Sequence, residues 1–302
     1  MISNPVPWPN GARCAVAVTW DVDCDSSLHW YNPDTADTLM ATQSAARYDL
    51  IAVPRLIKVL QERELRQTFF FPGWCIERYP RQIEALLAAG HEIGLHGYLH
   101  ERSNELSKGA EREAIQRGVN AYVKYVGSRP RGWRAPSFAF SKHSLSFLLE
   151  HGFEYDSSLM GDDIPYTIEN KDGRLLEFPI DWTLDDWPHY VHNRDFRYVM
   201  PISAPHRAIE VFRAEFEAAW RFGGLWVSVW HPFVTGRPAR LCAALELIDA
   251  MRAKGEVWFA RLDEVCDHVQ NLIQEETWQP RVEKLPLYAS PLPELAGIRS
   301  DG

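Results

Sequence analysis

Short apolar runs of β character alternate with amphipathic helical stretches from residue 14 to residue 262, and this alternation limits the fold more than any other feature. The runs are "CAVAVTW" at 14–20, "QTFFF" at 67–71, "HEIGL" at 91–95, "RGWRA" at 131–135 and "FEYDS" at 153–157. They continue with "RLLEFPI" at 174–180, "RYVMPIS" at 197–203, "LWVSVWH" at 225–231 and "EVWFARL" at 256–262. Between them, the stretches 53–65, 81–90, 141–152, 206–222 and 240–255 carry apolar residues at helical spacing. Gly90, Gly152 and Gly255 each stand just past such a stretch, where a helix C-cap is expected. Each helix must bury its apolar stripe, so repeated strand–helix units predict a mainly parallel sheet covered by helices. About eight units in roughly 270 residues suit a barrel-like arrangement better than an open sheet.

Composition narrows the class. The chain is 46% hydrophobic and 24% charged, enough for one large globular core. A formal charge of −9 and the lack of any Lys/Arg cluster argue against nucleic acid as a partner. No apolar run approaches the roughly 20 residues needed to span a bilayer, so no membrane partner is expected. The opening "MISNPVPWPNGAR" has neither a basic n-region nor an apolar h-region. Cys14, Cys24, Cys75, Cys242 and Cys266 are odd in number and scattered, without a C-x-x-C pair. Together these features predict a cytoplasmic protein with reduced thiols. A catalytic barrel is expected over 1–274, followed by an extended, proline-containing arm over 275–302 that packs on its own subunit or on a neighbour. Self-association into a homo-oligomer is plausible on that basis.

In parallel strand–helix proteins, function gathers at the carboxyl ends of the strands. "CAVAVTW" runs into Asp21 and Asp23, which share a face because they stand at i and i+2 on an extended segment. "HEIGL" runs into His96, with His100 one turn further if a helix begins there. "LWVSVW" runs into His231. The H-x-x-x-H spacing alone means little, since 11 histidines in 302 residues yield roughly 0.4 such pairs by chance. Three separate strands delivering ionisable groups at the same end is the stronger signal. Two imidazoles and a carboxylate form a three-ligand site with an open position, as in catalytic zinc centres. A second carboxylate can take the proton of an attacking water, and a histidine opposite can protonate a leaving group. Such a set points to hydrolysis of a polarised carbonyl, most naturally an amide. Trp74, Trp133, Trp182 and Trp187 follow or flank strand ends, where they are candidates to line a substrate pocket.

These residues fall into five ordered motifs: "TWDVD" at 19–23, "HGYLH" at 96–100, "RAPS" at 134–137, "YDSSLM" at 155–160 and "VSVWHP" at 227–232. In that order they resemble the polysaccharide deacetylase family, also called the NodB-homology or family 4 carbohydrate esterase group. The resemblance implies a deformed barrel, a divalent metal held by Asp23, His96 and His100, Asp21 as general base and His231 as general acid. It further implies that Arg134 orients the base and that the backbone N–H near Ser137 helps stabilise an oxyanion. An aspartate should orient the acid histidine; of Asp185 and Asp186, Asp186 is taken for that role. Val22 separates two aspartates that are usually adjacent in the family, so which is base and which is ligand stays open. "HGYLHE", "EFPIDWTLDD" and "HPFVTGRP" are similar to a branch with allantoinase-like, cyclic-imide-hydrolase-like and peptidoglycan-deacetylase-labelled members. A small cyclic imide, ureide or amide is therefore the favoured substrate, and an N-acetylated sugar or glycan the alternative. A binding module that kept the barrel and lost activity is a third possibility. Zinc suits two histidines and a carboxylate, while cobalt, nickel and manganese also suit them.

Overall fold

A computed structural model describes residues 2–194 and 198–287. Among the described residues, ten strands form one sheet: β1 (Cys14–Asp21), β2 (Thr68–Phe71), β3 (Glu92–Leu95), β4 (Gly132–Trp133) and β5 (Tyr155–Asp156), then β6 (Tyr166–Asn170), β7 (Gly173–Glu177), β8 (Leu225–Trp230), β9 (Val257–Phe259) and β10 (Val282–Lys284). The order is β10-β6-β7-β5-β4-β3-β2-β1-β8, with β9 also paired to β1. All pairings are parallel except the β6–β7 hairpin. A parallel bridge between Asp185 and Val229 joins the segment after β7 to β8 and closes the ring. The result is the deformed (β/α) barrel expected, a single α/β domain.

β1 and β8 explain why their sequences read as continuous apolar runs: every residue of both is buried. Their side chains alternate between two layers. Val16, Val18 and Trp20 join the large cluster under the helices, while Ala15, Ala17, Val227 and Val229 meet Phe70, Tyr155 and Phe178 from other strands. Residues from across the sheet converge in that second cluster, which makes it the barrel interior. Burying each large apolar side chain contributes about 1.5–3 kcal/mol.

The structure departs from the sequence expectation at several points. The runs at 131–135 and 153–157 pair over only two residues each. No strand forms in the described part of 197–203, where Tyr198 makes only an isolated bridge to Asn193; residue 197 lies outside the described residues. The run at 256–262 splits, because Leu262 opens the helix Leu262–Gln274. The helix Lys108–Val126 has no apolar stripe strong enough to announce it, and it buries only a narrow face including Ile115, Gly118, Val119 and Tyr122. Within the arm, β10 adds to the sheet beside β6 and Trp278 is buried in the barrel-interior cluster. The arm through residue 287 therefore packs on its own barrel; the rest, 288–302, lies outside the described residues. Among the described residues, no helix is long and apolar enough to cross a membrane.

Candidate active site

The carboxyl ends of β1, β3 and β8 meet at one cavity. β1 ends at Asp21, and Val22 N–H still donates to Phe70 O at 2.8 Å, so the extended geometry persists to Asp23. Asp21 and Asp23 thus face the same cavity. Beyond them Cys24 turns with a φ of 50°, a left-handed conformation, and Asp49 Oδ2 accepts its N–H at 2.9 Å. The Cys75 thiol donates to Asp23 O at 3.0 Å, fixing the backbone of Asp23 from the other side.

β3 delivers His96, whose N–H donates to Phe71 O at 2.9 Å. The expected helical turn to His100 does not form. Residues 96–100 make a tight loop in which Gly97 has a φ of 69° and His100 a φ of 63°. A Cβ at Gly97 would lie 2.8 Å from Pro136 Cγ, so only glycine fits there. Glu101 holds the loop by accepting the N–H groups of Tyr98 at 2.8 Å and Leu99 at 2.6 Å. The two imidazoles meet because of this loop, with ring centroids 5.1 Å apart.

His96 Nδ1–H donates to Arg134 O at 2.8 Å, which leaves Nε2 free to face the carboxylates. Nε2 lies 3.6 Å from Asp23 Oδ1, and His100 Nε2 lies 3.4 Å from Asp23 Oδ2. These separations exceed a charge-assisted hydrogen bond, and Asp23 Oδ1 has no hydrogen-bond partner although it is buried. One donor atom from each of Asp23, His96 and His100 lies within 4.8 Å of the others. Orphaned, convergent and of the right chemistry, this triad fits a divalent cation such as zinc. Burial raises the pKa of Asp23, but His100, His231 and His96 outweigh it and hold the carboxyl well below its usual range. Burial lowers the His96 pKa against the pull of Asp21 and Asp23, which favours the neutral ring that a metal requires.

Arg134 is fully buried and has one role forced on it by its partners. Nη1 donates to Asp21 Oδ1 at 2.9 Å and to Thr19 Oγ1 at 2.6 Å; Nε and Nη2 donate to Ser157 O and Ser157 Oγ at 2.8 and 2.9 Å. The guanidinium also stacks over Phe70, 4.2 Å from the ring centre. Across the cavity, His231 Nδ1–H donates to Asp186 Oδ1 at 2.6 Å. Asp186 Oδ2 accepts the N–H of His231 at 2.9 Å and the Thr235 hydroxyl at 2.5 Å. Burial lowers the His231 pKa, but Asp186 overcomes it and, with Asp23 and Asp185, raises it well above the ordinary value. The ring-closing bridge at Val229 is what brings Asp185 and Asp186 beside the end of β8.

The cavity holds about 260 Å³ and is lined by Asp21, Asp23, His96, His100, Asp185 and His231, while Arg134 and Asp186 stand behind Asp21 and His231. Ser137 lines it from a turn with a φ of 52°, its hydroxyl 2.6 Å from Tyr31 Oη. Trp182 and Trp187 lie in the wall, as expected; Trp182 is 52% exposed at the mouth, packed edge-on against Phe138. Trp133 does not: it is buried and packs on Phe153, because its position in β4 turns it to the helix side. The sequence also left Tyr31, Tyr198, Ser27 and Asp49 unassigned. Tyr31 ends the short helix Ser26–Tyr31, and Tyr198 stands in the 197–203 run that reads as a strand, so neither carries a sequence sign of the cavity. Asp49 sits in the first turn of the helix Ala46–Gln61, behind the cavity wall, where burial pushes its carboxyl well above the ordinary value, and nothing in the local sequence marks it.

Fold and site together define an α/β-barrel hydrolase with a candidate metal centre. The family model described as polysaccharide deacetylase matches residues 49–155. A Mycobacterium smegmatis protein, named as a candidate polysaccharide deacetylase, is 39% identical with a TM-score of 0.87; the match covers 98% of this chain and 99% of that one. A Helicobacter pylori protein named peptidoglycan deacetylase is 28% identical, over 83% of this chain and 95% of its own length. The PuuE allantoinase structure shares the fold with a TM-score of 0.77 at 22% identity, over 89% of this chain and 95% of that one. The chain belongs to the polysaccharide deacetylase family, whose deacetylases hydrolyse carbon–nitrogen bonds other than peptide bonds.

Proposed function

We propose that the protein hydrolyses a C–N bond in a small cyclic imide, ureide or related amide, using one divalent metal held by Asp23, His96 and His100. The observation that carries the substrate choice is the cavity itself. At about 260 Å³, it is at or below the small end of small-molecule sites and walled by Tyr31, Phe138, Trp182, Trp187 and Tyr198, which suits a single planar ring. When bound, zinc or a similar ion supplies Lewis acidity toward the scissile carbonyl and the attacking water. Asp21 takes the proton of that water; its other oxygen is tied to Arg134, so the accepting oxygen is aimed at the cavity. His231, held by Asp186, gives its Nε2 proton to the leaving nitrogen. The backbone N–H of Ser137 offers a donor for the oxyanion. These assignments make Asp23 the ligand and Asp21 the base, because Arg134 binds Asp21 while Asp23 Oδ1 lacks any protein partner.

A second reading, N-deacetylation of an amino sugar, draws on the Helicobacter pylori relative's name and on its coverage of 95% of that protein. Incubating the metal-loaded protein with succinimide, hydantoin and allantoin, and separately with N-acetylglucosamine oligomers, decides between them. Ring opening supports the small-ring substrate; acetate release from glycans alone overturns it.

A further inference from the structure

One acid group in the cavity has no part in the chemistry above. Asp185 is 4% exposed and lines the pocket. Its Oδ1 accepts the N–H of Trp187 at 2.8 Å and stands 4.0 Å from His231 Nδ1. Among the hydrogen bonds of the described residues, its second oxygen takes none. That oxygen is open to the cavity, and the backbone bridge between Asp185 and Val229 fixes the residue in the cavity wall, within reach of a substrate donor. Most other polar groups of the wall are committed elsewhere: Tyr31 and Ser137 to each other, Asp21 to Arg134, and Asp23, His96 and His100 to the metal cluster; Ser27 Oγ also lacks a partner but is a hydroxyl, not a carboxylate.

We propose that Asp185 determines specificity by accepting a hydrogen bond from a second substrate N–H, so that the ring taken is a cyclic ureide rather than a simple imide. This rests on the small-ring reading above. In a ureide, the nitrogen that leaves at His231 belongs to a urea group whose other nitrogen also carries a hydrogen. Asp185 and His231 line the same cavity, so that next N–H can reach the free oxygen of Asp185. A simple imide has carbon at that position and offers no donor. Burial pushes Asp185 up to about 7 against the pull of His231, so a donor from the substrate restores what water gave the carboxyl in the unfolded chain.

The test uses hydantoin and succinimide, two five-membered rings that differ in the second N–H, with wild type and with Asp185→Asn. The variant keeps a carbonyl for Trp187 N–H but turns a donor toward the ring. We expect kcat/KM for hydantoin to fall roughly tenfold to hundredfold, mainly through KM, and succinimide to fall by a factor roughly tenfold smaller, the shared part reflecting the loss of a charge near His231. Asp185→Ser, which also keeps an oxygen near Trp187 N–H, should show the same split. Metal content and melting temperature are measured on both variants. Equal losses on the two rings would mean a structural role through His231 and would overturn the proposal, as would no loss on either. Wild type that opens neither ring and releases acetate from glycans instead removes the small-ring reading itself, and the proposal with it.

Discussion

His231 Nδ1 and Asp186 Oδ1 lie 2.6 Å apart at the end of β8, and the other Asp186 oxygen is saturated by His231 N–H and by Thr235. A carboxylate bound this fully cannot rotate away, so the ring is fixed with Nε2 toward the cavity and a proton on Nδ1. Asp186→Asn places an amide in the same space and, depending on its flip, sets an N–H against the ring N–H. We expect kcat to fall by roughly two orders of magnitude or more, with unchanged metal content. Thr235→Val, which removes only one of four contacts, should cost a few-fold. Steady-state kinetics with elemental analysis on both variants checks this.

The metal cluster predicts its own pattern. His96→Ala and His100→Ala should each lose stoichiometric zinc after dialysis, while Asp21→Asn should retain it and lose turnover. That contrast separates ligand from base, which the spacing of Asp21 and Asp23 left open. Loss of zinc from Asp21→Asn with retention in Asp23→Asn would reverse the assignment.

Much of this site was legible in the chain because strands with both faces buried are apolar along their whole length, and the polar residue that ends them stands out. Asp21, His96 and His231 were found that way. The path from His96 to His100 was not, since H-x-x-x-H fits a helical turn and a left-handed loop equally well; the loop depends on Glu101, Pro136 and the helix Lys108–Val126, all distant or polar. Closure of the ring was equally hidden, because it rests on a single bridge at Asp185 rather than on a strand.

Two tryptophans test the difference between packing and binding. Trp133 is buried against Phe153, so Trp133→Ala should cost about 3–5 kcal/mol of stability. Trp182 is half exposed at the pocket mouth, so Trp182→Ala should leave stability nearly unchanged and raise KM several-fold. Thermal unfolding and KM measured on both variants decide the matter. A raised KM in a fully folded Trp133→Ala would contradict the placement.

Glu92 lies far from the cluster, accepting hydrogen bonds from Thr68, Tyr155 and Asp263 N–H. Burial, reinforced by Asp263, pushes its pKa from an ordinary 4.5 to about 7. Between those values the folded chain binds more protons than the unfolded one. The contribution is therefore full below about 4.5 and lost as pH rises through 7. Relative to Glu92→Gln, wild type should lose roughly 3 kcal/mol between pH 4.5 and pH 8. Denaturant unfolding of both across that range checks it, and parallel curves would show that Glu92 does not titrate there.

C–N hydrolysis should follow metal occupancy of the Asp23–His96–His100 cluster. Protein stripped by a chelator is titrated with zinc while hydantoin ring opening and bound metal are followed together. We predict no turnover at zero occupancy, a linear rise to one equivalent per chain, and no rise in His96→Ala. Full turnover by the stripped protein, or an equal response in His96→Ala, would contradict it.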